Sequence, residues 1–106
     1  MNVHKRLNKR GRKLLKAERI EHFNKLRDEN PDWIPDLRGI CGTGILIRAI
    51  SRRWDLSGAN LSKANLEGVD FDYFFLIDTN FEEARLEGAS FVGAVLAGAI
   101  FKKTSP

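Results

Sequence analysis

The sequence predicts a β-solenoid, a chain wound into a four-cornered coil, preceded by an N-terminal α-helix and a cap. Three observations carry this. A large apolar residue returns every five positions from Leu56 to Phe101, a small residue stands two places before most of them, and glycine recurs two places after. Neither regular element has a period of five. On a helix, residues five apart step round by about 140° and cover every face. On a strand, an odd step moves the side chain to the opposite face. A quarter turn every five residues brings all of them inside. One coil then closes in about twenty residues, and successive coils stack at strand-pairing distance, roughly 4.8 Å.

The register runs through Leu56, Leu61, Leu66, Phe71, Leu76, Phe81, Leu86, Phe91, Leu96 and Phe101. With 12 Leu and 7 Phe in 106 residues, ten such residues in strict phase arise by chance roughly a few times in 10⁸, which argues against a low-complexity linker. Two places before the centres stand Trp54, Ala59, Ala64, Val69, Phe74, Thr79, Ala84, Ala89, Ala94 and Ala99, small enough in most cases to share the interior. Gly58, Gly68, Gly88, Gly93 and Gly98 fall two places after, where a tight corner favours a residue without Cβ.

Ahead of the coil, residues 1–29 read as a basic tail and helix. The tail, MNVHKRLNKRG, is expected to be loose up to Gly11, and the helix spans 12–29 on the strength of Leu15, Ile20, Phe23 and Leu26. Asn30-Pro31 stops it, because a residue before proline avoids the helical region. Residues 30–53 form a connector and cap: Trp33 and Ile34 anchor it, and Asp36-Leu37-Arg38-Gly39-Ile40 resembles one isolated repeat. Leu37 lies 19 residues before Leu56, out of phase by one, so an irregularity must fall within 40–53. The apolar run at 45–50 is expected to cover the coil's N-terminal end. The coil occupies 54–103, and 104–106 is a tail. A period of twenty stacks Leu56 with Leu76 and Leu96, and Leu61 with Phe81 and Phe101.

The blocks ANLSK, ANLEG, ARLEG, ASFVG and AVLAG follow A-(N/D)-L-x-x, and the chain resembles the pentapeptide-repeat family. That resemblance implies a right-handed quadrilateral β-helix, a hand the period alone does not give. HFNKLRDENPDWIPDLRG is also similar to the WN-x-WR-x-x-NP…PDL lead-in of some bacterial members, with Phe23 and Leu26 in place of its two tryptophans. Some members mimic duplex DNA and bind type II topoisomerases. So short a stack, carrying a basic arm, fits that role poorly.

The net charge of +4 hides a split: residues 1–53 carry +8 and residues 54–106 carry −4. Lone Cys41 allows no internal disulfide. No apolar stretch is long enough to span a bilayer, and the basic start lacks a secretory apolar run. The expectation is a soluble cytoplasmic protein.

Two surfaces are candidates for function. Outward positions beside the Leu76/Leu96 ladder turn apolar at Tyr73, Phe75, Ile77, Val95 and Ala97, with Phe74 weighed alongside them. This patch, or the open C-terminal end, would meet a protein partner or a second copy, unless the N-terminal helix folds over it and lays Leu15, Ile20 or Phe23 on Phe75. The arm places Lys5, Arg6, Lys9, Arg10, Arg12, Lys13 and Lys16 within twelve residues, suited to an acidic partner, an anionic membrane, or a nucleic acid or ribosome. No aromatic stands in it to stack bases. Chemistry is not expected: Cys41-Gly-Thr-Gly lacks the lysine of a phosphate loop, His4 and His22 have no ligand cluster, and Asp55 and Asp70 are placed to bond backbone at corners. No cofactor or metal is implied. The reading is a non-catalytic interaction or assembly module, with nucleic-acid or ribosome association through residues 5–16 as the alternative.

Overall fold

The computed structural model describes residues 3–16, 19–41 and 55–105. The chain opens with α1 (Val3–Lys16) and α2 (Ile20–Glu29), packed against each other. The expected loose tail and single helix over 12–29 are corrected here: helix begins at Val3, and two helices replace one. The reason lies in Gly11, which reads in sequence as a break. In the fold it is a buried close approach, where an added Cβ would stand 2.8 Å from Trp33 Cη2. With Leu7 and Leu15 it gives α1 an apolar stripe at helical spacing. α2 stops where Asn30-Pro31 predicts, with Asn30 Nδ2 donating back to the Leu26 carbonyl at 2.9 Å.

From Asp55 onward the chain passes over itself every twenty residues. Asp55, Phe75 and Val95 form consecutive parallel bridges, as do Asn60, Asn80 and Ile100, then Asn65, Arg85 and Ser105. Each contact is a single bridge, with no longer strand among the described residues, because a corner follows every fifth residue. Leu56 N donates up to the Phe75 carbonyl at 2.9 Å, and Asn80 N donates down to the Ala59 carbonyl at 3.0 Å. Residues 36–41 lie beneath 60–65: Asp36 bridges Asn60 and Cys41 bridges Asn65, a step of twenty-four where the coil needs twenty. The irregularity is therefore four extra residues between 41 and 55. The cap expected at 45–50 lies outside the described residues, as does Trp54.

Leu56, Leu61, Leu66, Phe71, Leu76 and Phe81 are fully buried, with Ala59, Ala64, Val69, Phe74, Thr79 and Ala84 beside them. Phe74 thus points inward, which removes it from the outer patch. Thr79, the one buried polar member, donates its Oγ1 to the Leu56 carbonyl at 2.8 Å. Phe81 and Phe101 stack with ring centroids 5.1 Å apart, as Phe71 and Phe91 do, while rings on adjacent walls meet edge to face. The expected ladders hold, but burial fades upward. Leu86, Phe91 and Leu96 are half-buried and Phe101 is 38% exposed, because no described residue lies over the last coil.

The corner explains the repeat. Asp55, Asn60, Asn65, Asp70 and Asn80 each accept, through Oδ1, the N–H two residues on. A short carbonyl side chain before each centre therefore satisfies a donor that the turn leaves open. The expected backbone role of Asp55 and Asp70 is what they do. Two residues after the centre, φ is positive: Gly at Gly58, Gly68, Gly88, Gly93 and Gly98, but Lys63, Tyr73, Asp78, Glu83 and Lys103 elsewhere. A side chain in this region costs about 1–2 kcal/mol. Glu83→Gly should therefore raise stability by about 1 kcal/mol in urea denaturation. Gly93→Ala should lower it, since the new Cβ would stand 2.6 Å from the Tyr73 ring.

Candidate functional site

The two ends of the stack differ, and that difference locates the free surfaces. Each corner faces downward with two carbonyls and one N–H, and upward with two N–H groups and one carbonyl. At the lowest rungs the helices take the place of the missing coil. Asn8 Oδ1 accepts from Asp36 N at 2.9 Å, and Arg12 donates to the Asp36 and Arg38 carbonyls at 3.2 and 3.3 Å. Asn24 Oδ1 accepts from Asp55 N at 3.0 Å, and Arg27 forks onto the Asp55 and Ser57 carbonyls. An Asn and an Arg, four apart on α1 and three apart on α2, thus reproduce one acceptor and two donors of backbone. Burial pushes the Arg27 guanidinium down from its ordinary value, opposed by Asp55 and Asp28, and its Cζ lies 5.8 Å from the Trp33 ring centre. Leu15, Phe23 and Trp33 complete the seal as buried core.

Because α1 and α2 bond to the lowest rungs, the exposed outer patch is left uncovered. Tyr73 is 48% exposed, Ile77 40% and Val95 37%, and Ala97 is also exposed, while Phe75 is half-buried. Phe75 bridges Val95, and the Tyr73 ring packs against Gly93 in the coil above. Sequence reasoning missed Val92, 61% exposed, and Ile100, which extend the apolar surface to the rim beside Phe101. Phe75 replaces the corner-capping Asn or Asp, yet its donor is not lost: Ile77 N–H donates to Ser57 Oγ, one coil below, at 3.1 Å. Val92 N–H likewise reaches Asp72 Oδ1 at 2.8 Å. The coil below supplies these two corners, which frees the position before each centre to carry another side chain.

The basic arm is part of a helix, not a tail. Lys5, Arg6, Lys9, Arg10 and Lys13 are exposed, and Arg12 is half-buried in its cap bonds. Lys16 ends α1, and its side chain lies outside the described residues. Among the described residues, no helix is long and apolar enough to cross a membrane.

A profile of pentapeptide repeats matches residues 45–73 and 76–105, in eight copies, more than half of the chain. The chain belongs to the pentapeptide-repeat family. No curated protein matches it. Members of this family are generally non-catalytic. In the segment ahead of the repeats, Asn24 and Arg27 are the residues that bond the corner at Asp55, and Phe23 is buried core.

Arg27→Ala should lower stability by about 2–3 kcal/mol by orphaning two carbonyls, while exposed Lys25→Ala should stay within about 0.5 kcal/mol in the same urea titration. The Arg38 guanidinium, bonded to Asp36, holds that carboxyl below the usual range. A depressed folded-state value gives stability that is present above the unfolded value and lost as pH falls through the folded one. Between about pH 5 and about pH 3 the native chain should therefore lose more stability than Asp36→Asn.

Proposed function

We propose that this chain is a non-catalytic docking module that meets a protein partner, or a second copy, through the apolar outer face of its repeats. We read the stack as a right-handed quadrilateral β-helix; parallel bridges twenty residues apart support that reading. We place its work in the cytoplasm, as a stabilising or assembly subunit of a larger complex. The lone cysteine, which forms no disulfide within the chain, is consistent with that compartment.

One observation carries the docking face. Tyr73, Ile77, Val92 and Val95 stand exposed together on two adjacent walls, near a rim where Phe101 is exposed as well. Scattered apolar residues are ordinary on a surface, but a contiguous group marks an interaction site. The other end of the stack shows the contrast. There the chain covers its core with Leu15, Phe23 and Trp33 and satisfies its edge with Arg12 and Arg27.

The test is Ile77→Asp combined with Val95→Asp, two exposed positions. Association, read by sedimentation for self-contact and by affinity co-purification for a partner, should fall at least tenfold, the cost of desolvating an unpaired charge. The far-ultraviolet dichroism should stay unchanged. Association that survives the double variant would rule out this face.

A further inference from the structure

The exposed side of α1 is a second surface, distinct from the apolar face and without a role in the docking just described. Between Val3 and Lys16 the helix carries seven Lys/Arg and no Asp or Glu. At the helical angle, all seven fall within an arc of about 160°, opposite Gly11 and Leu15. Lys5, Arg6, Lys9, Arg10 and Lys13 make no side-chain ion pair or hydrogen bond among the described residues. Near Arg12 the row meets a cleft of about 540 Å³ between α1 and the coil, where Arg38 and Lys63 stand beside Asn60 and Ser62. Asp36 in the same cleft is already paired with Arg38.

Three kinds of anion could meet such a surface, and burial separates them. An interfacial helix holds a membrane by its apolar side, but here Leu15 and Gly11 are committed to the core. An acidic protein would find no free apolar anchor on this arc, and exposed ion pairs alone contribute about 0–1 kcal/mol each. A nucleic acid needs no apolar anchor, because cations that neutralise phosphates release condensed counterions. The five exposed cations from Lys5 to Lys13 can each meet one phosphate of a duplex, whose two strands together present one charge per about 1.7 Å of axis. It carries no aromatic side chain on which unstacked bases could rest.

We propose that the basic face of α1, continued by Lys63 at the cleft, binds the phosphate backbone of a nucleic-acid duplex without reading its sequence. RNA and DNA share the recognised chemistry.

The test titrates the full chain into labelled duplexes of about 20 base pairs, one RNA and one DNA, from about 50 to about 200 mM salt. With about five phosphates engaged, the logarithmic salt slope should be about −4.5, an affinity loss of about 500-fold across that range. The triple variant Lys5→Gln, Lys9→Gln, Lys13→Gln should flatten the slope by about 3 while the thermal midpoint holds. The Ile77→Asp and Val95→Asp variant should bind duplex as the native chain does, so failure of the apolar docking face and failure of this one are separable. Binding to either duplex supports the proposal, and the tighter arm identifies the source. It is overturned if neither duplex binds at the lowest salt, or if the triple variant keeps the native slope. It is equally overturned if poly-glutamate or phosphatidylserine vesicles bind as tightly as the duplexes.

Discussion

A coil of stacked rungs has an edge problem before it has a function. Every corner of the lowest coil presents an N–H and two carbonyls with no rung beneath them, and a buried backbone group left unpaired costs about as much as a lost hydrogen bond. This chain meets the problem with side chains. Asn8 with Arg12, and Asn24 with Arg27, copy the donor and acceptor pattern of the absent coil. Much of the rest depends on those four residues. They fix the helices on the stack, they commit the apolar stripe of α1 to the core, and they leave the basic side of α1 pointing outward. A helix held at both its polar and apolar contacts is a rigid platform, unlike the loose tether that its composition suggests.

The repeat itself was legible because it obeys a strict steric rule. Every fifth side chain from Leu56 to Phe81 must fit a closed interior, so the pattern cannot drift, and the structure buries each one. The corner-capping role of Asp55 and Asp70 could also be read, since a short carbonyl side chain before a turn has few other uses. What could not be read was where long-range partners lie. Gly11 looked like a break because glycine is a poor helix former, and only the Trp33 ring against it explains its presence inside α1. The four-residue step between coils was visible as a phase error, but not its sign, because a shift of −1 and a shift of +4 are the same modulo five.

The apolar patch was legible in its centre and not at its margins. Phe75, Ile77, Val95 and Ala97 stand out because they break the polar pattern of their columns. Val92 and Ile100 break the same two columns but stand away from the Leu76/Leu96 ladder, and their exposure beside the rim shows only in the structure. Two of the donors left by missing Asn or Asp caps, Ile77 N–H and Val92 N–H, are answered from the coil below, by Ser57 and Asp72. A change of surface chemistry on one coil is thus supported by the sequence of the previous one, which couples positions twenty apart.

The two edges of the stack are chemical opposites. The upper edge offers pairs of N–H groups, at Phe91 and Gly93 or at Leu96 and Gly98, and so it fits a lower edge, not another upper one. Two copies could zip end to end only head to tail, and such a joint repeats without closing, which is the geometry of a filament. α1 and α2 occupy the lower edge of every copy. The same helices that finish the fold therefore also deny each molecule the one surface on which an endless fibre could grow.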